Sequence, residues 1–259
     1  MTATGARTVH VEHCMGTVFS IDVRDPGDWG DAIAAVVARL HHLDAVFSTY
    51  RPDSDISRLR RRELRLTDAD PDVAVVLDLC AELQRETGGH FSALAAGRID
   101  PTGLVKGWAV EEASRMLRAY GAGNHAVNGG GDVQLAGEAG PGREWTVGVV
   151  DPLDRGRILT TITGRDLAVA TSGTAERGAH IVDPFTGRPV THLAAATVTG
   201  PSLTRADAYA TAAFVLGPAA IDWIATRPGY AVLLVRPDGS VQEAATESPR
   251  LPYSAQAPW

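Results

Sequence analysis

The chain has 259 residues, 44 % of them hydrophobic and 21 % charged, and its 24 basic and 31 acidic side chains leave a formal charge of −7. That balance excludes bulk disorder, a collagen-like fibre and a disulfide-stapled mini-protein, and the length suffices for a substantial core. The dense basic run, Arg58 to Arg65, is interrupted by Glu63, so a nucleic-acid partner is not expected.

The first residues lack the apolar centre of a secretory signal, and no stretch approaches the ~20 apolar residues that cross a bilayer. A cytoplasmic protein with no membrane insertion is expected. Cys14 and Cys80 lie in no metal-binding or disulfide pattern. Residues 17–23 alternate, with Phe19, Ile21 and Val23 on one face, which predicts a half-buried strand ended by Pro26-Gly27. Ile33, Val36, Val37, Leu40 and Phe47 follow helical spacing. Ser54 to Ser57 reads as a turn or short cap. Pro71 opens a second helix with Val73, Val76, Leu77, Cys80 and Leu83 inward, and Gly88-Gly89 stops it. A third helix carries Trp108, Ala113 and Leu117 and ends at Gly121.

Short β-rich segments follow at 125–127, 132–136, 145–150, 158–162, 167–171, 180–182 and 195–199. A fourth helix spans about Thr204 to Leu216 and a fifth Pro218 to Thr226. Residues 230–235 and 240–243 close as a hairpin around Pro237-Asp238-Gly239. The strands are too closely spaced for repeated βαβ units, which favours an α+β fold with a mixed, largely antiparallel sheet and packed helices. With no linker, residues 1–259 read as a single domain with a tail from about 252. Gly121-Ala-Gly123-Asn-His-Ala126 resembles a dinucleotide fingerprint in reverse context, following a helix and opening a strand, so it is set aside.

Chemistry gathers in a few segments. In Asp100-Pro-Thr-Gly-Leu-Val-Lys106 a turn enters the third helix, whose first amides attract anions. Lys106, read as lying in the first turn, opposes the helix dipole unless an anionic ligand binds; a plain surface lysine is the alternative. Asp207 and Thr211 stand i, i+4 among small alanines, and a carboxylate with a hydroxyl suits Mg²⁺. A hydrogen-bonded polar pair inside a packed helix is the bland reading. The glycines of Asn128-Gly-Gly-Gly-Asp132 either expose amides to phosphate oxygens or make a tight turn. In His180-Ile-Val-Asp183-Pro-Phe-Thr-Gly187 a histidine able to act as a general base precedes an Asp-Pro turn.

These segments have a familiar order: Met15-Gly-Thr17; Ser48-Thr-Tyr50 with Ser54-Asp-Ile-Ser-Arg-Leu59; Thr87-Gly-Gly; Asp100-x-x-Gly-x-x-Lys-Gly-x-Ala109; Asn128-Gly-Gly-Gly-Asp132; Thr171-Ser-Gly173; His180-Ile-Val-Asp-Pro-x-Thr-Gly187; and Ala206-Asp-Ala-x-Ala-Thr211. Together they resemble the ApbE family of FAD:protein FMN transferases, from residue 15 to about 217. The resemblance implies an ApbE-like, T-fold-like architecture and a Mg²⁺-dependent enzyme. FAD would be the substrate, and its FMN half would move to a Thr or Ser hydroxyl of an acceptor flavoprotein with release of AMP. Carried over by position, Asp207 and Thr211 fall on metal ligands, with Gly103 offering a backbone carbonyl. Met15, Tyr50, Asp100, Lys106 and Ile181 fall on flavin-nucleotide contacts, and His180 on the catalytic base. The chain departs from the family pattern in a shortened stretch between Phe91 and Asp100, in Ser92 where many members have Asp, and in Thr174-Ala175 after Thr171-Ser-Gly173. Many relatives are exported lipoproteins, so the missing signal implies cytosolic targets. A FAD pyrophosphatase giving FMN and AMP, and a non-catalytic FAD-binding protein, are the alternatives.

Overall fold

In the computed structural model, which describes residues 7–95, 98–174, 178 and 181–245, the chain opens with a hairpin of Thr8–Cys14 (β1) and Thr17–Val23 (β2). Its turn residues, Met15 and Gly16, both have positive φ, at 53° and 69°, as a two-residue hairpin turn requires. The sequence reading starts the sheet at Thr17; β1 is an addition. Its apolar Val9 and Val11 face solvent while His10 and Glu12 are half-buried, so burial runs against its hydrophobic pattern. Pairing along the whole of β2, not a buried face of its own, holds it.

Gly30–Phe47 (α1) buries Ile33, Val36, Leu40 and Phe47 of the expected stripe and leaves Val37 half-buried. Of the turn or short cap expected at Ser54, the structure forms the cap of a short helix, Asp55–Arg60 (α2), where Ser54 Oγ accepts the amide of Ser57 at 3.2 Å. Pro71–Glu86 (α3) begins with proline, and Asp70 caps it by accepting the Asp72 amide at 2.9 Å. A minimal pair, Leu94–Ala95 (β3) and Arg98–Ile99 (β4), leads to Thr102–Ala119 (α4). Next come His125–Gly129 (β5), Asp132–Ala136 (β6), Trp145–Val150 (β7), Ile158–Gly164 (β8), Ala168–Gly173 (β9) and Ala195–Gly200 (β10). Leu203–Leu216 (α5) and Ala220–Ile224 (α6) precede the closing hairpin of Ala231–Val235 (β11) and Val241–Ala245 (β12). The expected fifth helix, Pro218 to Thr226, is thus a 3₁₀ turn followed by the five-residue α6.

Eight strands form one sheet in the order β1-β2-β5-β6-β9-β10-β11-β12, and each neighbouring pair is antiparallel. The α+β, largely antiparallel expectation holds. Two expectations within the β-run do not. β7 and β8 pair only with each other, as a separate ribbon. The strand expected at 180–182 is, in its described part, a single bridge between Val182 and Pro189; His180 lies outside the described residues.

The period-two alternation of the central strands sorts residues onto two faces. On one face Ala168, Ala170, Val232 and Leu234 join the core with α1, α4 and α5. On the other, Val133, Leu135, Val169 and Leu233 pack under Trp145, Val149 and Ile162 of the ribbon. Burial on both faces explains why β6 is buried throughout although it carries Asp132 and Gln134. The alanines of β9 and α5 keep this contact close, with Ala206, Ala208, Ala210, Ala212 and Ala213 all buried.

Candidate active site

The strand registers bring the start of β2, the β5–β6 turn, the end of β9 and the start of β10 to one end of the sheet. There a cavity of about 710 Å³ opens, lined by α4 and α5 from the helical face and by the ribbon from the other. Gly103, Lys106, Ile181, Asp207 and Thr211, from distant stretches of chain, all line it.

The closest helix contact fixes the centre. Gly107 of α4 donates its amide to Asp207 Oδ2 at 3.1 Å, and a Cβ at Gly107 would stand 2.8 Å from Asp207 Cβ. Only glycine permits this approach of α4 to α5. Asp207 is 6 % exposed, a buried carboxylate facing the cavity. One turn on, the Thr211 hydroxyl is hydrogen-bonded to that of Ser172 on β9 at 3.1 Å. Carboxylate and hydroxyl oxygens clustered this way fit a hard cation such as Mg²⁺.

The start of α5 is held from two elements. Glu111 Oε2 on α4 accepts from Ser202 Oγ at 2.8 Å, from the Thr204 amide at 2.8 Å and from Thr204 Oγ1 at 2.7 Å. Gln134 Oε1 on β6 accepts the Leu203 amide at 3.2 Å. These acceptors satisfy first-turn amides that a helix cannot satisfy itself. Glu111→Ala is expected to lower stability by about 2 kcal/mol, read as the midpoint shift in urea unfolding, with Glu111→Gln recovering part of it.

Lys106 differs from its sequence reading. Helix α4 begins at Thr102, so Lys106 sits in the second turn, not the first. Its ammonium donates to the carboxylate of Asp132, which is 1 % exposed, so the lysine has a structural partner. Asp132 Oδ1 also accepts the Thr171 amide at 3.1 Å, tying β6, β9 and α4 together. The spacing around Asn128-Gly-Gly-Gly-Asp132 gives a role to the glycines and none to Asp132. The available signal was an acidic residue at a strand start, where aspartate is depleted. Those glycines make a tight turn that also borders the cavity. A Cβ at Gly129 would stand 2.6 Å from Val110 and 2.8 Å from Phe19, and Gly130 and Gly131 line the wall.

Of the remaining assignments, His180 lies outside the described residues, and Met15, Asp100 and Tyr50 are not on the cavity wall. Met15 is in the β1–β2 turn, two residues from the lining Thr17, and packs against the core. Asp100 accepts from Thr102 Oγ1 at 2.6 Å and pairs with Arg60 at 2.7 Å, shaping the entry to α4. Tyr50 is 96 % exposed. Past Ile181, the Asp183 carboxylate accepts the amide of Phe185 at 2.8 Å, which holds its pKa below the ordinary carboxylate value. His42, Asp70 and Asp72 also cluster, but Arg39 grips Asp72 with two bonds of 2.6 and 2.9 Å, marking an ion-pair network between α1 and α3.

The sequence model of the ApbE family matches residues 15–97 and 93–234. The chain belongs to the ApbE family. Among curated ApbE relatives, the FAD:protein FMN transferase of Escherichia coli is 29 % identical over 151 residues, covering 54 % of this chain and 43 % of that protein. The transferase of the same name from Rhodobacter capsulatus is 29 % identical over 230 residues, covering 84 % of this chain and 41 % of that one. The matched stretch therefore spans less than half of either relative. Two solved ApbE structures share the fold. The ApbE protein of Thermotoga maritima superposes with a TM-score of 0.82 at 21 % identity, covering 92 % of this chain and 97 % of that one. The flavin transferase ApbE of Vibrio cholerae does so with a TM-score of 0.76 at 20 % identity, covering 93 % and 97 %. Among the described residues no helix is long and apolar enough to cross a membrane.

Proposed function

We infer that this ApbE-family protein is a cytoplasmic, Mg²⁺-dependent transferase that moves the FMN moiety of FAD onto a Thr or Ser hydroxyl of a target flavoprotein and releases AMP. What carries the reading is the convergence of Asp207 and Thr211 with Gly103 and Lys106 on one cavity. The name shared by its curated relatives supports it.

Asp207, Thr211 and the backbone carbonyl of Gly103 would hold the ion. Bound there, Mg²⁺ supplies positive charge against the diphosphate and the departing AMP. The acceptor hydroxyl oxygen forms a bond to the flavin-side phosphorus, the bridging P–O bond breaks, and AMP leaves with the bridging oxygen. His180 takes the hydroxyl proton, a contribution of ~10²–10⁴-fold for a positioned base. Lys106, steered by Asp132, places its ammonium beside the phosphates. Ile181 contacts the flavin nucleotide from the cavity wall, and Met15, Tyr50 and Asp100, assigned by their position in the family pattern, would reach it from outside that wall. Chemistry of this kind is mostly positioning and electrostatics, which a wall of fixed helices and strands supplies.

Incubating the protein with FAD and Mg²⁺, with and without a Thr-bearing acceptor flavoprotein, tests the reading. AMP release that requires the acceptor, with FMN covalently on that acceptor, is the expected result. AMP release indifferent to the acceptor would make the protein a FAD pyrophosphatase. Tight FAD binding without turnover would make it a flavin carrier.

A further inference from the structure

The ribbon contributes more than an apolar wall. Of the charged side chains lining the cavity, nearly all are committed to the protein. Lys106 is paired with Asp132, Asp132 also accepts the Thr171 amide, and Asp207 accepts the Gly107 amide. Asp151, at the end of β7, accepts the Leu153 amide at 2.9 Å and is paired with Arg157. Burial would raise the Asp151 carboxyl, but that amide and the guanidinium bring its pKa below the ordinary value. Among the described lining residues Arg155 is the one cation with no hydrogen-bond or ion-pair partner.

The loop that carries Arg155 is built, not loose. The Asp151 amide donates to Arg157 O at 2.9 Å, closing the turn, and the Arg157 amide donates to Asp154 O at 3.0 Å. Asp154, the nearest carboxylate in sequence, accepts the Gly156 amide at 3.0 Å instead of pairing with its neighbour Arg155. With Asp151 buried at its base, the loop presents an exposed guanidinium at its tip toward the cavity. Such pre-organisation lowers the entropic cost of a contact made there.

We propose that Arg155 is a substrate-binding residue that pairs with a phosphate oxygen of the nucleotide in this cavity, so that the ribbon selects phosphorylated ligands. The proposal rests on the flavin-dinucleotide reading above and deepens it. A diphosphate entering the cavity meets a Lys106 ammonium whose charge is shared with Asp132, and an ion at Asp207 would share its charge with that carboxylate. Arg155 supplies an uncommitted cation, and a guanidinium suits two-point contact with phosphate.

Titration calorimetry of the full chain with FAD and with ADP, in Mg²⁺ and again in EDTA, tests it. Arg155→Ala is expected to weaken both ligands by about tenfold or more, the worth of one charge-assisted hydrogen bond. Arg155→Glu should weaken them further and Arg155→Lys should recover part. The side chain is exposed and Asp151 holds the loop, so the variants should unfold at the wild-type temperature. Unchanged FAD and ADP affinities in the Ala and Glu variants overturn the proposal, even if the KM for the acceptor protein rises, which would assign Arg155 to docking. So does a loss confined to FAD, which would place the contact on the flavin. Wild-type protein that binds ADP in an Arg155-dependent way but ignores FAD keeps the phosphate contact and sinks the flavin reading. Wild-type protein that binds neither removes both.

Discussion

Replacing Asp207 with asparagine is expected to remove divalent-ion-dependent AMP release from FAD by about 10³-fold, equivalent to roughly 4 kcal/mol of transition-state stabilisation. Asparagine keeps the volume and an oxygen acceptor for the Gly107 amide, which sits 3.1 Å from Asp207 Oδ2. The fold should therefore survive, and the loss should trace to the missing negative charge. The measurement is AMP release across a Mg²⁺ series, with thermal unfolding alongside. Turnover by the variant at the wild-type rate with the wild-type Mg²⁺ dependence would refute the metal assignment. A large drop in unfolding temperature would instead assign Asp207 a structural role, as one half of the α4–α5 contact.

The second large effect is expected at Gly107. Alanine has the better helix propensity by ~1 kcal/mol, so propensity alone favours Gly107→Ala. Packing opposes it. The new methyl would lie 2.8 Å from Asp207 Cβ and 3.1 Å from the Leu203 carbonyl oxygen, neither of which is the free end of a flexible chain. Overpacking at such a site costs about 1–3 kcal/mol and would push the start of α5 away from α4. Lower stability and a displaced Asp207 should appear together, as a reduced urea midpoint and a raised Mg²⁺ requirement. Gly103→Ala, in the same helix, is the control for stability, because its methyl would meet only the Phe91 ring at an ordinary 3.7 Å. If Gly107→Ala is as stable as Gly103→Ala, the close approach is not the constraint it is argued to be.

Both predictions turn on a contact between residues 100 positions apart, and this marks what was legible in the chain. Local signals carried through where one principle dominated. The apolar stripe of α1, the proline start of α3 and the Asp-Gly hairpin between β11 and β12 lie where spacing and turn chemistry put them. They failed where tertiary context won. β1 exposes its valines because pairing with β2, and not a buried face, keeps it in the sheet. The ribbon of β7 and β8 alternates like any other strand pair, and nothing in its pattern says that it leaves the main sheet to cover it. Lys106 looked like an unexplained cation because its partner Asp132 lies 26 residues further on.

The ordered motifs by themselves determined the family and nominated the residues of the site, since side-chain chemistry and short-range spacing are written in the chain. Tertiary structure alone decided which of those residues share a cavity. It gathered Gly103, Lys106, Ile181, Asp207 and Thr211 there, and left Tyr50 in solvent and Asp100 bound to Arg60. The reason is that strand register, the glycine-permitted approach of α4 to α5 and the ribbon's packing are properties of long-range contacts, which no local window contains.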